Sequence, residues 1–153
     1  MKFILEVNNK TAYRFSKKKL LSVFEHSLEL ASLACLEGKT LELSVALVGE
    51  KEIQALNGQY RKKDSPTDVL SFCEHASTEE ICIESAKNKQ ERIFLGELIL
   101  CPDYIKRNAD EDGESLEYAL IYITAHGILH LLGFDHGKKM FDLQKKVADD
   151  LVK

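Results

Sequence analysis

Between Thr40 and Val48 the chain alternates, with Leu41, Leu43, Val45 and Leu47 apolar and Glu42 and Ser44 polar between them. A period of two sends successive side chains to opposite faces, so this stretch predicts a strand. Phe3 to Val7 predicts a first strand, Val69 to Phe72 a third, and Ile93 to Cys101 a fourth broken at Gly96-Glu97. Elsewhere the period lengthens. Leu20, Leu21, Phe24, Leu28, Ala31 and Leu36 recur at helical spacing, predicting a helix capped by Ser16 and reaching about Leu36, with Gly38 at its end. Glu50 to Tyr60 predicts a short helix with Glu50 and Glu52 in the first turn, where the helix dipole stabilises carboxylates. Pro102 suits the first turn of another, since it lacks only an N–H that would be unpaired there. Leu116 to Leu132 is the most apolar helix, expected to be central and stopped by Gly133; Lys138 to Val152 is amphipathic. Residues 75–92 are polar and read as a surface excursion. About four strands and five helices mix without strict βαβα alternation, so the expected class is α+β, in a single domain over residues 1–153.

Composition narrows the function classes. With 153 residues, 44% apolar and 30% charged, the chain can bury a core without disulfide support. No apolar run approaches the ~18–20 residues of a membrane span. The N-terminal apolar stretch stops at Glu6, short of the ~7–15 residues of a signal-peptide core, so no membrane partner and a cytoplasmic location are expected. Cys35, Cys73, Cys82 and Cys101 form no CxxC pair and read as buried or free thiols. The net charge of −4 is uneven: residues 1–63 carry 11 Lys/Arg against 7 Asp/Glu, and residues 64–153 carry 10 against 18. Nonspecific coating of nucleic acid needs many cation–phosphate contacts, which this balance does not supply, although a local basic site remains open.

The chemistry concentrates in His126-Gly127-Ile128-Leu129-His130-Leu131-Leu132-Gly133-Phe134-Asp135-His136. Three of the five histidines fall in eleven residues. His126 and His130, at i and i+4, lie on one helix face ~6 Å apart along the axis, which lets two imidazoles share one tetrahedral ion. Gly133 then turns the chain with positive φ and returns His136 as a third ligand. Three protein nitrogens leave a fourth position for water, the arrangement of a catalytic zinc site. The spacing equals the metzincin peptidase pattern, but Gly127 stands where those enzymes place the general-base glutamate. The bland alternative is three structural histidines; a structural zinc would need a fourth ligand, such as Asp135 or a distant cysteine. Asp135 otherwise supports a ligand, shapes the turn or caps the last helix. His26 and His75 lack ligand spacing and are expected to be non-ligands.

A second cluster, Arg61-Lys62-Lys63, sits at a helix end before Asp64-Ser65-Pro66-Thr67-Asp68. Alone it reads as a solvated basic loop at a helix C-terminus. Beside an open metal site, Arg61 would offer a bidentate fork to a phosphate. Asp68 would pair with that guanidinium or cap the turn. Lys17-Lys18-Lys19 reads as a solvated face, with RNA contact second.

These residues resemble a known family. The segment from His126 to His136 is similar to the HGxLHLxGxDH signature of the YbeY family of bacterial rRNA maturation factors. The stretch from Asn57 through Tyr60-Arg61 to Phe72, and the strand Leu95-Gly96-Glu97-Leu98, resemble that family's other two motifs. Glu97 stands where the family often has aspartate and Cys73 where proline is common. The resemblance implies an α+β fold with a mixed sheet of about four strands and a zinc-bearing cleft. It implies a zinc-dependent single-strand endoribonuclease acting at the small-subunit rRNA 3′ end and in ribosome quality control. It carries His126, His130 and His136 over as zinc ligands and Arg61 as the catalytic residue that binds the scissile phosphate. The expected partners are rRNA, the small ribosomal subunit and assembly factors, with no DNA. The alternatives are a metallopeptidase and a non-catalytic assembly factor stabilised by zinc.

Overall fold

The computed structural model describes residues 1–87 and 91–152. Four strands, β1 (Lys2–Asn9), β2 (Thr40–Leu47), β3 (Val69–Cys73) and β4 (Arg92–Leu100), form one sheet in the order β1-β2-β4-β3. β1 and β2, and β2 and β4, pair in parallel, whereas β3 runs antiparallel to β4. The expected break in the last strand is instead a bulge: Phe94 pairs with Glu42 and Gly96 with Leu43, leaving Leu95 over. Gly96 holds φ +138°, and a Cβ there would collide with the Phe72 carbonyl, so the bulge requires glycine.

The helices are α1 (Lys17–Ala31), α2 (Glu50–Arg61), α3 (Thr78–Lys87), α4 (Pro102–Asp112), α5 (Leu116–Leu131) and α6 (Lys138–Leu151). Ser16 caps α1 as expected, accepting from Lys19 N at 3.2 Å. The helix ends five residues early, where Ser32 turns left-handed at φ +52°, and a short 3-10 turn at Ala34–Leu36 follows. α3 corrects the reading of residues 75–92 as mere surface excursion. Ser77 caps it, accepting from Glu80 N at 3.1 Å, and Ile81 and Ser85, one turn apart, are buried. Residues 88–90 of that excursion lie outside the described residues.

α1 and α5 pack on one face of the sheet around Phe24, Leu43, Leu98, Leu120 and Ile128, and α6 packs against these two helices. Strand alternation sends Leu70 and Ile99 to the other face, where Val48, Ile53 and Cys101 meet them beneath α2. The cysteine reading is corrected in part. Cys35 and Cys82 form a disulfide, because α3 docks on the 3-10 turn, where Ser85 Oγ also donates to the Cys35 carbonyl at 2.9 Å. Cys73 and Cys101 are free thiols, the second buried. Among the described residues no helix is long and apolar enough to cross a membrane.

Candidate metal centre and cleft

α5 brings its histidines to the sheet because Gly127 allows close approach. A Cβ at Gly127 would lie 2.7 Å from Leu98 Cδ2 and 3.4 Å from Ser71 Oγ. The position that carries glutamate in metzincins is therefore pressed onto the sheet and has no room for a carboxylate. The histidine spacing that suggested a peptidase is retained, but the general base of that class has no place at this position.

His126 and His130 stack edge to face at 4.5 Å between ring centroids. At the helix end, Gly133 takes φ +92°, with its N–H on the His130 carbonyl at 2.9 Å and Phe134 N on Leu129 O at 3.0 Å. A side chain at Gly133 would collide with Thr78 at the start of α3. Thr78 Oγ1 in turn donates to the Leu132 carbonyl at 2.5 Å and secures the turn. His136 returns so that His130 Nε2 lies 3.1 Å from His126 Nε2 and 3.2 Å from His136 Nε2.

The outer nitrogens fix the protonation pattern. His130 Nδ1 lies 3.2 Å from the Phe134 carbonyl and His126 Nδ1 lies 2.9 Å from Gln144 Oε1. Both oxygens accept, so both Nδ1 atoms carry the proton and both Nε2 atoms present lone pairs. Lone pairs converging at this distance repel one another, and a cation between them turns repulsion into ligation. The three side chains bring one ligand atom each within 4.8 Å of one another, a group that can hold a metal ion. Burial, then the closeness of the two other imidazoles, with which it would have to share positive charge, lower the pKa of His130 and favour its neutral, ligating form.

Gln144 was not singled out in the sequence. It is 1% exposed and falls in the apolar register of α6 with Met140, Val147 and Ala148. A polar residue inside an otherwise buried stripe is the signal that identifies it.

A cleft of about 540 Å³ joins this group to the second cluster, lined by Tyr60, Arg61, the stretch from Thr67 to Cys73 and the three histidines. The loop after α2 is pinned from below: Asn57 Nδ2 donates to Ser65 O at 2.9 Å and Gln54 Nε2 to Asp64 Oδ1 at 3.0 Å. Lys62 turns left-handed at φ +58°, and Arg61 forms no ion pair among the described residues. Asp68 takes the capping role, accepting from Val69 N at 2.7 Å rather than pairing with Arg61. Tyr60 is 58% exposed and meets Phe72 edge to face at 5.1 Å. Asp135 is exposed and belongs neither to the histidine group nor to the lining of this cleft. His26 binds Asp150 at 2.8 Å and buried His75 binds Glu84 at 2.9 Å, so both serve the fold, outside the metal group.

The family described as "Endoribonuclease YbeY" matches residues 6–152. An endoribonuclease YbeY of Bacillus pumilus is 38% identical over 156 residues, covering 98% of this chain and 96% of the relative. One of Staphylococcus carnosus is 42% identical over 114 residues, 71% of each chain. A Thermotoga maritima protein solved in solution superposes with TM-score 0.63 at 30% identity, covering 97% of this chain and 89% of that one.

Proposed function

The chain belongs to the YbeY endoribonuclease family, and we propose that it is a zinc-dependent hydrolase that cuts single-stranded RNA, with His126, His130 and His136 holding the metal and Arg61 binding the scissile phosphate. The observation that carries this reading is the meeting of Arg61 and three convergent imidazoles in one cleft. A zinc bound there would act as a Lewis acid and bring water toward a pKa of ~7.

The chain's own residues do the rest. Gln144 and the Phe134 carbonyl hold two imidazoles in the ligating tautomer. Arg61, with no carboxylate partner among the described residues, offers two parallel N–H donors to a phosphate and counters the charge that grows on its oxygens. Tyr60, standing above Phe72 at the cleft mouth, offers a ring face to an unpaired base. Duplex bases are already stacked, so this favours single strands. The acidic C-terminal half, with 10 Lys/Arg against 18 Asp/Glu over residues 64–153, works against tight binding of naked RNA, so the small ribosomal subunit or an assembly factor supplies further contacts during small-subunit rRNA 3′-end maturation. The site of action is the cytoplasm.

The test is cleavage of a single-stranded RNA with an extended small-subunit rRNA 3′ end. Zinc-loaded wild type, Arg61→Ala and His130→Ala are compared, each checked for folding and zinc content. Cutting by wild type alone supports the reading. Equal cutting by all three marks a contaminant and removes it.

A further inference from the structure

A second cavity, of about 380 Å³, adjoins the metal cleft between α4, α5 and Asp68. Asp68 lines both spaces. Tyr122 lines the cavity, and His126, one helical turn further along α5, lines the cleft. The two positions are ~6 Å apart along the axis, comparable to the advance of one nucleotide along an extended strand.

The cavity's walls are of two kinds. Its depth is apolar, with Ile105 buried and Ile123 half-buried. Tyr118 and Tyr122 lie nearly parallel, 16° apart with ring centroids at 6.2 Å, and Tyr118 donates its hydroxyl to Asp149 at 3.0 Å, which holds its ring in place. The rim carries Asn108, Asp112 and Glu114. Neighbouring Asp110 is held by Lys106 at 2.8 Å, whereas these three side chains engage no partner among the described residues. Lys145, the one cation lining the cavity among the described residues, is already bound to Asp149 at 2.7 Å.

This lining selects its ligand. Carboxylates repel phosphate, so the occupant is uncharged or cationic. A divalent ion is a poor match, because among the described residues only the three histidines bring three donor atoms within 4.8 Å of one another. A flat aromatic group with N–H donors along one edge fits both the tyrosines and the carboxylates.

We propose that this cavity is a nucleobase subsite that takes the base next to the phosphate bound in the cleft and favours guanine. Guanine presents its N1–H and 2-amino group as two adjacent donors, which one carboxylate accepts together. Uracil presents a single N–H between two carbonyl oxygens, which the carboxylates disfavour. The inference rests on the RNA-cleaving reading above and adds to it a preference between bases.

The full zinc-loaded chain is titrated with guanosine 5′-monophosphate and, separately, uridine 5′-monophosphate, and backbone amide resonances are followed. The shared phosphate makes the difference between the two a property of the base. The expected result is a saturable shift of residues 108–122 with guanosine monophosphate, at least about tenfold tighter than with uridine monophosphate. Tyr122→Leu, its folding verified by thermal melting, weakens the guanine response by about tenfold, the size of one stacking contact. Asp112→Asn with Glu114→Gln, both on the exposed rim, brings the two nucleotides to equal affinity. Equal shifts for both nucleotides in wild type, or shifts confined to Arg61 and the histidines, overturn the proposal. RNA cleavage is measured on the same samples. Cutting without any guanine preference overturns the subsite and leaves the nuclease reading intact. A guanine response without cutting sustains the subsite and defeats the nuclease reading.

Discussion

Gly127 on α5 and Leu98 on β4 touch so closely that a Cβ on the glycine would come within 2.7 Å of Leu98 Cδ2. Leu98 is fully buried in the core. Gly127→Ala gains helix propensity of up to ~1 kcal/mol, against an overpacking cost of ~1–3 kcal/mol, so a modest net loss of stability is expected. Gly127→Glu places a carboxylate against the sheet. Its melting temperature should fall well below that of the alanine variant, with no peptidase activity gained. Thermal melts of the three proteins, with a peptidase assay on an unfolded substrate, check both statements.

Arg61 is exposed and tied to no carboxylate among the described residues. Arg61→Ala should leave the melting temperature and zinc content unchanged and lower RNA cleavage by ~10²–10³-fold, the usual cost of one electrostatic donor at a reacting centre. Arg61→Lys keeps the charge and loses the planar fork, so it should recover only a small part. Single-turnover rates at saturating RNA separate this from weaker binding.

Gln144 reaches His126 Nδ1 at 2.9 Å from α6. Gln144→Ala should weaken zinc affinity by ~10–100-fold, the range seen when a group orienting a metal-bound histidine is lost. Competition against a chromophoric chelator measures it. Stripping the metal from wild type should lower its melting temperature, since a ligand at 100 times its Kd adds ~2.7 kcal/mol to the folded state. In His130→Ala the chelator should have little further effect.

The disulfide between Cys35 and Cys82 closes a separation of 47 residues. Constraining an unfolded chain over that span stabilises the fold by up to about 4 kcal/mol in the chain-entropy account. The oxidised protein should melt higher than the protein in a thiol reductant. Cys82→Ser should melt at the reduced value and ignore the reductant.

Asp150 joins α6 to α1. Its hydrogen bond from His26, and then that from Lys146, hold its carboxyl below the ordinary value of 3.8. A carboxylate with a depressed folded pKa adds stability that is fully present above the unfolded value. That stability disappears as pH falls through the lower, folded one. Wild type should therefore lose this contribution below about pH 4, and Asp150→Asn should show a shallower acid limb in denaturant melts taken at successive pH values.

Periodicity alone determines much of this molecule. Leu41, Leu43, Val45 and Leu47 can only be a strand facing two ways, and the histidine pair at i and i+4 can only share a helix face. The turn at Gly133 is equally local, because only glycine accepts its φ without strain. The polar stretch 75–92 misleads because α3 buries only Ile81 and Ser85, too little to mark a periodic stripe. Its evidence lay in the capping pair Ser77 and Glu80. Cys35 and Cys82 are distant in sequence and meet because α3 docks beside the 3-10 turn. Gln144 faces His126 across 18 positions, and Arg61 shares a cleft with histidines more than sixty residues away. Local sequence sets the torsions and faces of each element, whereas contacts between elements depend on which buried surfaces pack together, and that competition is settled only when the whole core forms.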